Sequence, residues 1–274
     1  TQSTWGLLST NFLKPPMISL PSFLFFLLVA YVNACDRCVH TTKAAYFQRS
    51  FELSSGSCGY ESLALELGSG KLAAGALTLY RDGAGCGSCF EIRCTDSTIC
   101  NTKGTRIVLT DSLPGNETDF VLSSRAFMSM ALDDKAREIL KRGILDVEYK
   151  RVPCAYNQDM ALKVEESSHK QSLVVKVLYQ GGQTEIVAMD VAAVGSPNWN
   201  YLSREFGAVW KTNQVPSGPL QFRFVVTSGY DGKWVWAKSV LPEDWTPGAI
   251  YSTRLQIDDI AQEGCFPCND QPWR

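Results

Sequence analysis

Gly85-Cys86-Gly87-Ser88-Cys89-Phe90-Glu91-Ile92-Arg93-Cys94 packs three cysteines and two glycines into ten residues and ends in an alternating, strand-like segment. Cys58-Gly59-Tyr60 precedes it, and Cys100 and Arg151-Val152-Pro153-Cys154 follow. Cysteines this dense, set among short β-branched runs, belong to a disulfide-stapled β-domain made for an oxidising compartment.

Working outward, residues 35–154 carry eight of the ten cysteines, while 155–264 carry none, so a domain boundary is predicted just after Cys154. Before it, Phe90–Arg93, Arg106–Thr110 and Leu145–Val152 read as strands. Ser123-Ser124-Arg125 leads into Ala126, Phe127, Met130, Ala131, Ala136 and Leu140, the spacing of one capped helix. After the boundary, Ala161–Glu165, Leu173–Tyr179, Glu185–Val191, Leu220–Thr227, Trp234–Val240 and Ile250–Ile257 read as strands. Gly181-Gly182, Gly195-Ser196-Pro197, Ser217-Gly218-Pro219 and Asp231-Gly232 punctuate them, the pattern of a small β-sandwich. Trp234 and Trp236 alternate with Val235 and so share a face. The pair is read as core with Val235 outside; the reverse would stand two indoles on the outer face.

Leu20–Val32 is an apolar run too short to span a membrane. It follows Met17 and ends in Val32-Asn33-Ala34, the cleavage pattern of a secretory signal peptide. Residues 1–34 are therefore read as leader plus signal peptide, with Met17 as start and cleavage after Ala34. The expected product is a secreted, extracellular protein with no membrane attachment after cleavage. Asn116-Glu117-Thr118 is a glycosylation sequon, meaningful in that route. The chain has 26 Lys and Arg against 28 Asp and Glu, a net charge of −2 with the signs interspersed, so no nucleic-acid surface is implied.

The motifs Cys58-Gly59-Tyr60, Gly85 to Phe90, Arg151-Val152-Pro153-Cys154 and Ser203-Arg204-Glu205-Phe206-Gly207-Ala208-Val209-Trp210 together resemble the plant expansins. The tail Gly264-Cys265-Phe266-Pro267-Cys268 is similar to the expansin-like A branch. The resemblance implies a mainly β chain. Residues 35–154 would form a six-stranded double-psi β-barrel related to family 45 glycoside hydrolases. Residues 155–260 would form an immunoglobulin-like β-sandwich that binds carbohydrate, and 261–274 a cysteine-containing tail. It also implies a monomeric plant cell-wall protein whose partner is wall polysaccharide, cellulose or matrix glycan. Such a protein would loosen non-covalent polymer contacts without hydrolysis; the alternative is a binding or structural wall protein that loosens nothing, and a residual glycoside hydrolase stands behind both.

An inverting glycosidase needs two carboxylates about 6.5–9.5 Å apart. The family resembles such enzymes with one lost, keeping an Asp in a His-Phe-Asp motif. Here that tripeptide is Asp119-Phe120-Val121, so Val121 stands where the catalytic carboxylate would be, and no catalytic residue is expected. The family's Thr-Trp-Tyr-Gly appears as Ala45-Tyr46-Phe47-Gln48, which loses a hydroxyl and keeps two aromatics. Leu109-Thr110-Asp111 matches the Thr-Asp pair of the family's groove. Asp119 falls on the same side as Val121 on an extended backbone. It is read as a solvated loop residue, not as half of a displaced acid pair with Asp111. By resemblance, the carbohydrate-binding candidates are Tyr46, Phe47, Asp111, Tyr156, Trp199 and Phe206, with Trp210 assigned to the core.

The resemblance further implies the disulfides Cys58–Cys86, Cys89–Cys154 and Cys94–Cys100. Cys35, Cys38, Cys265 and Cys268 remain. They allow end-to-end bonds, local bonds or, far less in keeping with secretion, a four-cysteine zinc site. No cofactor or metal is expected.

Overall fold

The computed structural model describes residues 38–48, 53, 55–115, 118–228 and 231–260. The predicted leader and signal peptide, the C-terminal tail, Asn116, Cys35, Cys265 and Cys268 lie outside the described residues. No helix among the described residues is long and apolar enough to cross a membrane.

Six strands close into a barrel: β1 (His40–Phe47), β2 (Leu72–Ala76), β3 (Cys89–Cys94), β4 (Thr105–Leu113), β5 (Phe120–Ser123) and β6 (Ile144–Val152), in the order β1-β5-β2-β4-β3-β6. β1 with β5 and β2 with β4 run parallel, and the other pairs are antiparallel. Closure leaves no strand edge open to pair with another chain. Ile92, Ile107, Leu109, Leu145, Val147 and Tyr149, alternate positions on their strands, fill the interior with Phe90, Phe120 and Phe127.

The helix predicted from Ser123 is two helices. α3 (Ser124–Met128) follows α1 (Leu63–Leu67) and α2 (Leu77–Tyr80), and α4 is Ala136–Arg142. Ser123 is the cap as read: its Oγ accepts from the Ala126 amide at 3.2 Å. The break between α3 and α4 comes from the loop that Cys94–Cys100 closes. The Asn101 side-chain amide donates to the Ser129 and Ala131 carbonyls, and the Asn101 backbone amide donates to the Met130 carbonyl. The Leu132 amide turns aside to the Ile99 carbonyl. Groups that would continue the helix are spent on the loop.

The second half holds eight strands: β7 (Ala161–Val164), β8 (Leu173–Leu178), β9 (Ile186–Ala193), β10 (Asn200–Phe206), β11 (Val209–Thr212), β12 (Leu220–Ser228), β13 (Asp231–Leu241) and β14 (Ile250–Ser252). Their order is β13-β12-β9-β10-β11-β8-β7-β14. β10 joins the two halves of this sheet. It pairs with β9 through Asn200, Tyr201 and Leu202, and with β11 through Ser203, Arg204 and Phe206. The halves enclose one core in which Leu162, Val164, Val175 and Trp210 pack with Met189, Val191, Phe222 and Phe224. Trp210 is fully buried, as read. This mainly β barrel-plus-sandwich architecture is the predicted fold class.

The disulfides Cys58–Cys86, Cys89–Cys154 and Cys94–Cys100 are formed, with Cα separations of 5.5, 5.3 and 5.8 Å. Cys38 is buried and also disulfide-bonded. A third cluster joins barrel to sandwich, packing Cys58, Tyr60, Cys89 and Cys154 against Ala161, Leu178 and Ala208.

Candidate functional site

Strand register brings the predicted barrel positions into one row. Ala45 on β1 lies opposite Val121 on β5, Val121 opposite Ala74 on β2, and Ala74 opposite Asp111 on β4. The positions read as a lost hydroxyl, a lost carboxylate and a retained carboxylate thus share a face, far apart though they are in sequence. Asp111 is the only acid in that row. A bulge between Ala73 and Ala74 in the β2–β4 pairing shifts the register and puts Asp111, not Thr110, opposite Ala74.

Asp111 is already engaged. Its Oδ1 accepts from the Ser57 amide at 2.7 Å, the Ser57 hydroxyl at 2.8 Å and the Ser112 amide at 2.8 Å. Residues 55–58 fold over it so closely that a Cβ on Gly56 would lie 2.5 Å from the Asp111 Cβ. The Tyr80 hydroxyl donates to the Ser57 carbonyl at 3.2 Å. Burial pushes the Tyr80 phenol above its ordinary pKa, and the Asp111 charge adds to that. Asp111 therefore clasps the turn leading into Cys58. Val121, Phe47 and Leu113 are partly buried against the adjoining cluster, so an apolar surface surrounds the position read from the sequence as a lost carboxylate. Asp119 precedes β5 and is partly exposed; its carbonyl accepts from the Ala76 amide.

Tyr46 and Phe47 part company. They are neighbours on a strand and so face opposite sides. The Tyr46 ring packs on Phe127 at 4.9 Å and its hydroxyl donates to the Leu140 carbonyl, whereas Phe47 packs beside Val121 in the other cluster. Tyr156 lies edge-on to Tyr179 at 5.6 Å, and burial raises its phenol pKa.

Phe206 sits where barrel meets sandwich, 49% exposed, with its ring against the Cys58-Gly59-Tyr60 turn. A Cβ on Gly59, whose φ is +73°, would lie 2.6 Å from the Phe206 ring, so the close approach requires glycine. Beneath it Arg204 stacks on Trp210 at 4.2 Å and donates to the carbonyls of Gly83, Gly207 and Ile186. Deeper still, buried Glu185 of the sandwich accepts from both Arg81 and Arg151 of the barrel.

The outer face of β10-β9-β12-β13 carries an array from which sequence reading named Trp199 as a binding candidate but missed Tyr201, Asp190 and Arg223. Tyr201, Asp190, Arg223 and Trp236 are successive register partners across the four strands. The Arg223 guanidinium lies 4.5 Å from the Trp199 ring centroid and 4.4 Å from that of Trp234, and Asp190 Oδ2 accepts from its Nε and Nη2 at 2.8 and 2.7 Å. Trp234 and Trp236 are 42% and 50% exposed with ring centroids 6.3 Å apart, and Tyr201 is 60% exposed. Val235 faces inward to the core opposite Phe224. The expectation that the tryptophan pair is core is thereby overturned: alternation fixes that the indoles share a face, but the neighbouring strand decides which one. Planar rings held apart by a charge-neutral Arg–Asp pair suit the apolar faces of sugar rings.

The family model described as Expansin C-terminal domain matches residues 160–242, and the model described as Lytic transglycolase matches 72–149. Expansin-like A1 of Arabidopsis thaliana is 53% identical over 262 residues, 92% of this chain and 99% of the relative. Expansin-like A3 of Oryza sativa subsp. japonica is 45% identical, covering 88% of this chain and 91% of the relative. Among solved structures, a mutant Clavibacter michiganensis expansin in complex with cellohexaose superposes with a TM-score of 0.62 at 19% identity, over 80% of this chain and 97% of the other. The full-length identity, the two matched models and the three disulfides agree, and the chain belongs to the expansin family, in its expansin-like A group.

Proposed function

We propose that this chain is a secreted cell-wall protein that binds cellulose or matrix glycan by stacking and does not hydrolyse it. The array of exposed Trp234 and Trp236 with half-buried Trp199 around Arg223 carries this reading. Phe206, Phe47 and Tyr156 would extend contact toward the barrel. A bacterial neighbour of the same fold was crystallised with cellohexaose, which supports a glucan as occupant. Hydrolysis is disfavoured because Asp111 stands alone in its row, with one oxygen committed to three donors, and no second carboxylate fills the position of Val121. Secretion is supported by the disulfides and by the predicted signal peptide. The division at Cys154 would separate a barrel domain from a carbohydrate-binding domain.

A second reading, binding without wall loosening, is favoured by Val121, which removes the carboxylate the family retains. Purified chain from Cys35 onward decides between the two. Clamped, heat-inactivated wall strips are followed for creep and for reducing-sugar release, with Val121→Asp in parallel. Binding without sugar release is expected of both proteins. Creep by the natural chain supports loosening; creep restored only by Val121→Asp supports the binding-only reading. Sugar release by the natural chain overturns the non-hydrolytic reading.

A further inference from the structure

A cleft of about 370 Å³ opens between α1, the outer side of β4 and the segment after Cys154. It is distinct from both the Asp111 row and the tryptophan face. Leu67 and Val108 give it an apolar floor and the half-buried Tyr156 ring a wall, while Asn157 stands at the rim. Lys71 and Arg106 also line it, and neither side chain has a hydrogen-bond or ion-pair partner among the described residues. On the neighbouring barrel strands, by contrast, Arg93 pairs with Glu148 and Lys150 with Glu91. The one acid of the cleft, Glu66, accepts from the Tyr179 hydroxyl at 3.2 Å.

We infer that this cleft is a site for a uronate residue of an acidic wall polysaccharide, with Lys71 and Arg106 taking the carboxylate and Tyr156 stacking on the sugar ring. The chemistry follows from the lining. A guanidinium offers paired donors to a carboxylate, and an ammonium adds a movable point charge. An aromatic wall over an apolar floor fits a pyranose face. The inference rests on the reading that the chain binds wall polysaccharide, and it adds a second, charge-selective site to the neutral one on the sandwich.

The test measures binding of oligogalacturonate, its methyl ester, glucuronoxylan and unsubstituted xylan by isothermal titration at low and high salt, with cello-oligosaccharide as the neutral reference. The inference expects at least one free-acid ligand to bind roughly tenfold tighter than its uncharged counterpart, with the margin lost as salt screens the exposed cations. The arm that binds distinguishes a backbone uronate from a side-chain one. Lys71→Ala/Arg106→Ala abolishes that margin and leaves cello-oligosaccharide binding unchanged, which also verifies the fold. Trp234→Ala/Trp236→Ala does the reverse. Equal affinity for acid and uncharged ligands overturns the inference, as does an acid preference that survives Lys71→Ala/Arg106→Ala. Loss of all polysaccharide binding in the natural chain overturns the wall-binding reading beneath it.

Discussion

The barrel face and the sandwich face both carry side chains of the types that suit sugar binding, yet they deploy them in opposite ways. On the barrel, register gathers Ala45, Val121, Ala74 and Asp111 into a row, but the one acid is buttoned down by Ser57 and Ser112, and its neighbours are apolar. On the sandwich, Arg223 is also consumed, by Asp190 and two indoles, but consuming it holds the rings out in solvent. Similar hydrogen-bond economy yields a structural clasp in one place and a presented surface in the other. What separates the two cases is whether the saturated polar group leaves accessible aromatic surface beside it.

The sharpest way to break the comparison is to cut what couples the two faces. Buried Glu185 is shared by the buried Arg151 and the partly exposed Arg81, so Glu185→Ala removes the one carboxylate both guanidinium groups pair with at the junction. Breaking a buried ion pair from one side costs about 3–5 kcal/mol. Chemical denaturation should show that loss. Glu185→Gln keeps an acceptor oxygen and should lose less. If Glu185→Ala leaves the denaturation midpoint unmoved, the junction is not held by this network.

Next in size is Arg223→Ala, which removes no ring from the sandwich face. It takes away the spacer between Trp199 and Trp234 and leaves Asp190 unpaired. Cellulose binding should weaken about tenfold, corresponding to roughly 1.4 kcal/mol, while the barrel disulfides and their mapping stay intact. Arg223→Lys should recover only part of the affinity, because an ammonium lacks the planar surface that stacks between two indoles. Full affinity in Arg223→Ala would mean that the rings hold their positions unaided.

Why the sequence exposed one region and disguised the other follows from the same residues. Three positions of the barrel row, Ala45, Asp111 and Val121, were legible only through the resemblance to the expansins, Val121 by counting back from Ala126-Phe127, and Ala74 was not legible at all. Alternation marked β3, β4 and β6. It could not mark β2, because Leu72-Ala-Ala-Gly-Ala76 is buried on both faces and lacks the β-branched residues that signal a strand. The sandwich face depends on residues 190, 199, 223, 234 and 236, which meet only through the pairing of four strands. No local pattern states that Val235 turns inward toward Phe224. The split of the helix after Met128 was hidden likewise, because the carbonyls that end it are taken by Asn101 across a disulfide loop.

The smallest effect is the most discriminating, because it asks whether Asp111 is a clasp or a ligand contact. Asp111→Asn keeps the shape and an acceptor oxygen but removes the charge that strengthens the hydrogen bonds from the Ser57 amide and hydroxyl. As a clasp, Asp111 should show a stability loss of about 1 kcal/mol, the net worth of a typical hydrogen bond. Faster hydrogen exchange should appear at the Ser57 amide, with polysaccharide affinity unchanged. Ser57→Ala should reproduce the loss in part, and the double variant should cost less than the sum, since both changes act on one contact. Were Asp111 a ligand contact, affinity would fall in Asp111→Asn and stay intact in Ser57→Ala. That outcome would move the barrel row into the binding surface and erase the contrast with the sandwich.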